Sequence, residues 1–285
     1  MTPRPFRFSA PFAAYFAICL LALVAAAPVD SSDEARDIEV APGTVVRWPG
    51  DSLESCRLGG REWAPYAGAC WYAIDLLHDR GAVELARTAK GRAERALITV
   101  SDYIYPVQHI TLQDDSRVNV SDVDLVRVRS EQKRVGSLWW TDAEPIFELP
   151  LAPPLEELPA GGRFGSRRFL NGQPRSPHSG ADFAAPEGTP VMSAAGGRVV
   201  LSDDLFFSGE SVFIDHGAGL VTMYFHLSTR QVEVGRQVDR GEVIGRVGQS
   251  GRATGPHLHF GVRWRGARVD PEILLGPAAA VPSLR

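Results

Sequence analysis

Positive charge is not in excess in this 285-residue sequence: 30 lysines and arginines stand against 34 aspartates and glutamates, a formal net charge of −4. Tracking a phosphate backbone takes many neutralising cations, so nucleic acid is excluded as an expected partner. Cysteine is scarce, with three residues. No internal repeat is evident, which sets aside solenoid and array architectures. Long apolar runs are limited to Phe12–Ala27, short of the ~20 residues that a membrane-spanning helix needs. What is present, 44% hydrophobic and 22% charged residues, is ordinary globular composition, long enough for two cores.

Arg4 and Arg7 precede the apolar run, which ends in Ala25-Ala26-Ala27 before the polar, acidic stretch from Val29 to Asp37. That is the layout of a secretory signal peptide, residues 1–27, whose cleavage would leave no stable transmembrane span; the alternative is a retained anchor. The expected location is the periplasm or cell envelope. Cys19 would leave with the leader. Cys56 and Cys70 would remain in an oxidising setting and are expected to form a disulfide. Closing a loop of about 15 residues contributes roughly 3 kcal/mol in the chain-entropy view.

Residues 28–144 read as a small β-rich N-terminal domain, with short apolar runs such as Thr44-Val45-Val46 and Ala96–Val100 between Pro and Gly. A short helix is expected there, capped by Ser121 or Asp122. Its apolar residues are Val123, Leu125, Val126 and Val128, and it ends before the charged stretch Arg129–Arg134. Pro145, Pro150, Pro153, Pro154 and Pro159 mark residues 145–162 as a linker. Residues 163–275 alternate short strands with glycine turns, the strands falling at 197–201, 211–215, 220–226, 242–247 and 257–264. This predicts a mainly β fold whose C-terminal domain is almost entirely antiparallel, followed by a tail at 276–285.

Five of the seven histidines lie in the second half, and three of them join an aspartate in two short motifs, His178-Ser-Gly-Ala-Asp182 and His257-Leu-His259. In extended backbone, residues i, i+2 and i+4 share a face, so each motif can project its polar groups together. Two imidazoles and a carboxylate make the three protein ligands of a catalytic zinc site with one open position. Such an ion lowers the pKa of bound water from 15.7 to roughly 7 and polarises a carbonyl. No serine or cysteine nucleophile is then required.

At these residues the chain resembles the lysostaphin/LytM-type zinc metallopeptidases, whose pattern is HxxxD, a later His-Leu-Ser and a terminal HxH. All three occur in order, at His178–Asp182, His226-Leu227-Ser228 and His257–His259. The flanks match as well: Gly180-Ala181-Asp182-Phe183, Gly188-Thr189-Pro190-Val191 and Thr254–Gly261. The resemblance covers about residues 160–275. It implies an antiparallel metallopeptidase sheet holding one zinc ion per chain on His178, Asp182 and His259. It places His226 and His257 beside the water and the developing oxyanion, with the division of roles between them open. By analogy with the cleft walls of the family, Phe164, Arg168 and the loop Phe206–Glu210 would line the groove. His216 reads as a turn residue after a strand, and His78 and His109 have no cluster around them.

The resemblance further implies hydrolysis of peptide cross-links in bacterial peptidoglycan, at the bond from D-Ala to meso-diaminopimelate as in Gram-negative members. Two alternatives stay open. One is a catalytically inactive regulator that activates another wall hydrolase. The other is an N-terminal domain that binds an envelope protein partner or docks on the groove and inhibits it.

Overall fold

Short strands joined by turns recur along the chain, and they build four sheets. The computed structural model describes residues 38–141 and 143–285. The expected leader and the first residues of the N-terminal region lie outside the described residues. Among those described, no helix is long and apolar enough to cross a membrane.

In the N-terminal region, β1 (Ile38–Val40), β3 (Leu53–Leu58), β4 (Arg61–Trp63), β6 (Gly81–Ala89) and β7 (Arg92–Val100) form a sheet in the order β1-β7-β6-β3-β4. A two-stranded sheet pairs β2 (Val45–Pro49) with β5 (Ala69–Ala73). Cys56 on β3 and Cys70 on β5 form the expected disulfide, which joins the two sheets within a core that includes Trp48, Tyr72, Ile74 and Leu85.

Strand β8 (Val107–Ile110) precedes the helix α1 (Asp122–Gly136). Ser121 caps α1, its Oγ accepting from Asp124 N at 3.1 Å. The helix runs through the charged stretch at which it was expected to stop. Arg127 pairs with Glu131 and with Asp204, and Arg134 pairs with Asp203, so the charges dock the helix instead of ending it. Not all of its apolar residues turn inward. Val123 and Val126 are 81% and 69% exposed, and the inward contacts come from Val128 and from Val135, Leu138 and Trp139 near the helix end.

The largest sheet is antiparallel throughout. It comprises β11 (Gly180–Ala184), β12 (Pro190–Met192), β13 (Gly197–Leu205), β14 (Gly209–Asp215), β15 (Leu220–Arg230), β16 (Gln237–Val238), β17 (Val243–Val247), β18 (His257–Trp264) and β19 (Ala267–Val269). Its main path is β11-β18-β15-β14-β13-β16, with β12 and β17 paired beside β15 and β19 on β18. The strands expected at 197–201, 211–215 and 220–226 are longer than their apolar runs. Before this sheet come β9 (Arg167–Leu170) and β10 (Gln173–Pro174), and β9 also pairs with β8 in parallel, with Gln108 opposite Arg168. A short helix, α2 (Pro271–Leu275), follows the sheet.

The described residues form one compact unit with a core that crosses the expected domain boundary. Trp71 of β5 stacks on Trp264 of β18, ring centroids 5.7 Å apart, and Phe147 meets Trp264 edge-on at 5.8 Å. The proline-rich stretch contributes Phe147, Leu151 and Leu155 to this core, all buried. Burying each such side chain contributes roughly 1.5–3 kcal/mol. The last residues pack back onto β2: Arg47 N donates to Pro282 O, Leu284 N donates to Arg47 O, and Leu284 is buried against the N-terminal core.

Candidate metal centre

Strand pairing unites the two motifs. β11 lies antiparallel beside β18 with Asp182 opposite His259 and Ala184 opposite His257. Asp182 Oδ1 lies 3.0 Å from His178 Nε2 and 2.9 Å from His259 Nδ1, and the two histidine nitrogens are 2.8 Å apart. Three potential ligand atoms from residues up to 81 positions apart thus converge on one point that could hold a metal ion. Gly180 is needed for this approach. A Cβ there would sit 2.6 Å from His259 Nε2 and 2.5 Å from the Phe260 carbonyl oxygen.

Each ligand is fixed from behind. His178 donates Nδ1–H to the Arg163 carbonyl at 2.9 Å, which leaves the Nε2 lone pair facing the cluster. His259 stacks flat on Phe225, centroids 5.0 Å apart and planes 3° off parallel. The second oxygen of Asp182 accepts from Arg168 Nη2 at 2.7 Å, and Arg168 Nε donates to Gln108 Oε1 at 3.2 Å. Burial would raise the Asp182 carboxyl, but its close contacts with His178 and His259 outweigh it and hold it well below the carboxylate range. Burial pushes His178 down to about 4 and lowers His259 as well, so both imidazoles are neutral, as metal ligation requires.

His226 and His257 stand beside this cluster, ring centroids 4.8 Å apart, with His257 Nε2 3.8 Å from Asp182 Oδ1. Both rings use Nδ1–H to bind a backbone carbonyl, His226 that of Ser250 and His257 that of Gly255, each at 2.8 Å. Each therefore turns Nε2 away from its tether. Burial, then the neighbouring His257 and His259, holds His226 neutral, at about 3. His226 has φ of 62°, in the left-handed region that a regular strand excludes. In a regular strand Phe225 and His226 would point to opposite faces. The kink brings both rings toward β18, where Phe225 meets His259 and His226 meets His257.

A cleft of about 330 Å³ opens over these groups, walled by Gln108, Ile110 and Leu112 on one side and by the loop from Arg252 to Pro256 on the other. Arg168 lies on this cleft, as expected, and its contact with Asp182 was not legible in the sequence. Phe164 is corrected to the core: it is buried and packs edge-on against Tyr105. His216 is fully buried, its Nδ1–H bound to the Gly196 carbonyl and Nε2 to Thr222 Oγ1, both at 2.7 Å, outside the cluster. His109 stacks on Phe169, and His78 folds its Nδ1 onto the Asp79 carbonyl.

The family model described as Peptidase family M23 matches residues 176–271. The chain is 45% identical over 95 residues to peptidoglycan DD-endopeptidase ShyA of Vibrio cholerae, a stretch covering 33% of this chain and 22% of that protein. It is 37% identical over 146 residues to peptidoglycan DD-endopeptidase ShyC of the same organism, covering 50% and 34%. The chain thus spans only about a fifth to a third of the length of these curated relatives. A solved structure of a candidate M23 peptidase from Pseudomonas aeruginosa matches 83% of this chain and 95% of its own length, with 31% identity and a TM-score of 0.64.

Proposed function

This chain belongs to peptidase family M23, and we propose that it is an exported zinc-dependent endopeptidase that hydrolyses peptide cross-links of peptidoglycan, at the bond from D-Ala to meso-diaminopimelate. The observation that carries the reading is the convergence of His178 Nε2, Asp182 Oδ1 and His259 Nδ1 beside two tethered histidines in one cleft. The names of ShyA and ShyC supply the substrate class. The Cys56–Cys70 disulfide supports a location outside the cytoplasm.

Two imidazole nitrogens and a carboxylate oxygen are the donors zinc takes in catalytic sites, and one ion per chain fits this set. Held there, zinc supplies an acidified water and a polarised carbonyl. The remaining steps belong to the side chains. His257 Nε2, 3.8 Å from Asp182 Oδ1, accepts a proton from the attacking water. The imidazolium so formed donates from Nε2–H to the leaving amide nitrogen as the carbon–nitrogen bond breaks. His226, held neutral at 4.8 Å, flanks the reacting carbonyl and keeps a second positive charge out of the site. Arg168 and the Arg163 carbonyl keep the ligand atoms aimed.

The direct test is digestion of purified peptidoglycan with and without a chelator, followed by mass spectrometry of the released fragments. Chelator-sensitive conversion of cross-linked dimers to monomers is expected. No release from a chain carrying one zinc ion would refute the proposal.

A further inference from the structure

The loop between β17 and β18 provides both carbonyls that tether the histidines, Ser250 to His226 and Gly255 to His257. Between these two points it carries Arg252, which lines the cleft with His226 and His257. The arginine is held in place. Its N–H donates to the Phe207 carbonyl at 2.7 Å, and its guanidinium lies over the Phe207 ring, 4.6 Å from the centroid. Preceding it, Gly251 has φ of 71°, and a Cβ there would come within 2.4 Å of Gly209 N. Loop 206–210 thus braces the Arg252 backbone.

Among the described residues, no carboxylate pairs with Arg252. Its neighbours carry the same sign: burial, then Arg168, Arg175 and Arg117, push it down to about 10. Arg168 is occupied by Asp182, and Arg163 on the same cleft also has no acidic partner among the described residues. A protein of net charge −4 therefore keeps a local excess of cations where its substrate must lie. Holding a half-buried cation among cations is unfavourable, and the face of Phe207 offsets only part of that. The missing counter-charge belongs to the ligand.

Given the endopeptidase reading on which this rests, the substrate supplies such a charge at a defined place. In a cross-link from D-Ala to meso-diaminopimelate, the carbon bonded to the scissile nitrogen also bears a carboxylate. We infer that Arg252 binds this free carboxylate beside the leaving nitrogen and selects cross-links in which it is not amidated. A guanidinium is suited to this, since its fork matches a carboxylate with two parallel hydrogen bonds.

The test uses the full mature chain loaded with zinc and three cross-linked muropeptide dimers. One has every carboxylate free, one is amidated only beside the scissile nitrogen, and one is amidated only at the isoglutamate carboxylate. The wild-type kcat/KM is expected to be about tenfold to a hundredfold higher for the free acid than for the first amide, and unaffected by the second. Arg252→Gln should reduce that preference to near unity, and Arg252→Lys should restore part of it. Equal cleavage of acid and amide by the wild type, a preference that follows the isoglutamate group, or an R252Q loss that is the same on all three dimers would overturn the assignment. Calorimetric binding of the monomer product, as acid and as amide, separates this inference from the reaction itself. At least tenfold tighter binding of the acid without cleavage of any dimer would keep the subsite and reject the endopeptidase, and equal binding would reject the subsite.

Discussion

Arg168 and Asp182 share a 2.7 Å ion pair in which only one carboxylate oxygen takes part; the other faces His178 and His259. Both side chains are largely buried, so the pair is shielded from salt. Arg168 thereby decides which oxygen is presented to a metal ion and in which direction.

Replacing Arg168 with Met is therefore expected to lower zinc affinity by about 10- to 100-fold, the usual effect of removing a group that orients a ligand. Gln108→Ala, which frees Arg168 Nε, should act in the same direction and less strongly. Competition with a chromogenic chelator measures both. An Arg168→Met protein that binds zinc like the wild type would show that the ion pair is structural only.

The left-handed backbone at His226 separates its chemistry from its shape. Asn tolerates this φ, whereas a β-branched residue does not. His226→Asn is expected to unfold near the wild-type temperature while kcat/KM falls about 10²- to 10³-fold, the range for losing a polar group placed beside the reacting carbonyl. His226→Val should lose about 1–3 kcal/mol of stability as well. Thermal unfolding and dimer cleavage on the same preparations would decide it, and an active Asn variant would remove His226 from the reaction.

Buried His216 predicts a loss of stability in acid. Its pKa falls from 6.5 to about 4 on folding because burial disfavours the charged ring. Below 6.5 the unfolded chain binds a proton that the folded chain refuses. The contribution of His216 is therefore complete above pH 6.5, is lost as pH falls toward 4 and levels off below it, amounting to about 3 kcal/mol. Asp270 works the other way. Burial raises it from 3.8 to about 6, so its contribution is complete below 3.8 and is lost as pH rises through 6. Denaturant unfolding between pH 7 and pH 4 should consequently be flatter for His216→Gln than for the wild type, and parallel curves would contradict the assignment.

The paired histidines of β18 were legible because alternation in a strand is a local rule: His257 and His259 share a face wherever β18 lies. Their meeting with Asp182 depends on the β11–β18 register, which no local pattern reveals. Arg168 and His226 were harder still. One acts through a partner 14 residues away, and the other through a backbone angle that histidine shares with few residues. The segment 145–162 shows a different limit. Its prolines correctly exclude helix and central strand, but they say nothing of burial, and Phe147, Leu151 and Leu155 all reach the core. Helix α1 outran its apolar run because Asp203 and Asp204, on a strand far along the chain, receive its arginines.

The same packing bears on whether the N-terminal region restrains the site or completes it. β18 carries His257 and His259 at one end and Trp264 at the other, and Trp264 rests on Trp71 and Phe147. Gln108 supports Arg168, and Ile110 and Leu112 wall the cleft. A chain cut to residues 160–285 loses all of these contacts and exposes the apolar face of Trp264. Removing the Trp71 side chain alone should be worth about 3–5 kcal/mol. The shortened chain is accordingly expected to unfold at lower temperature, to bind zinc more weakly and to cleave dimers more slowly than the full mature chain. A soluble fragment with full zinc occupancy and a faster rate would reverse this conclusion, because its gain could only come from removing an obstruction in the cleft.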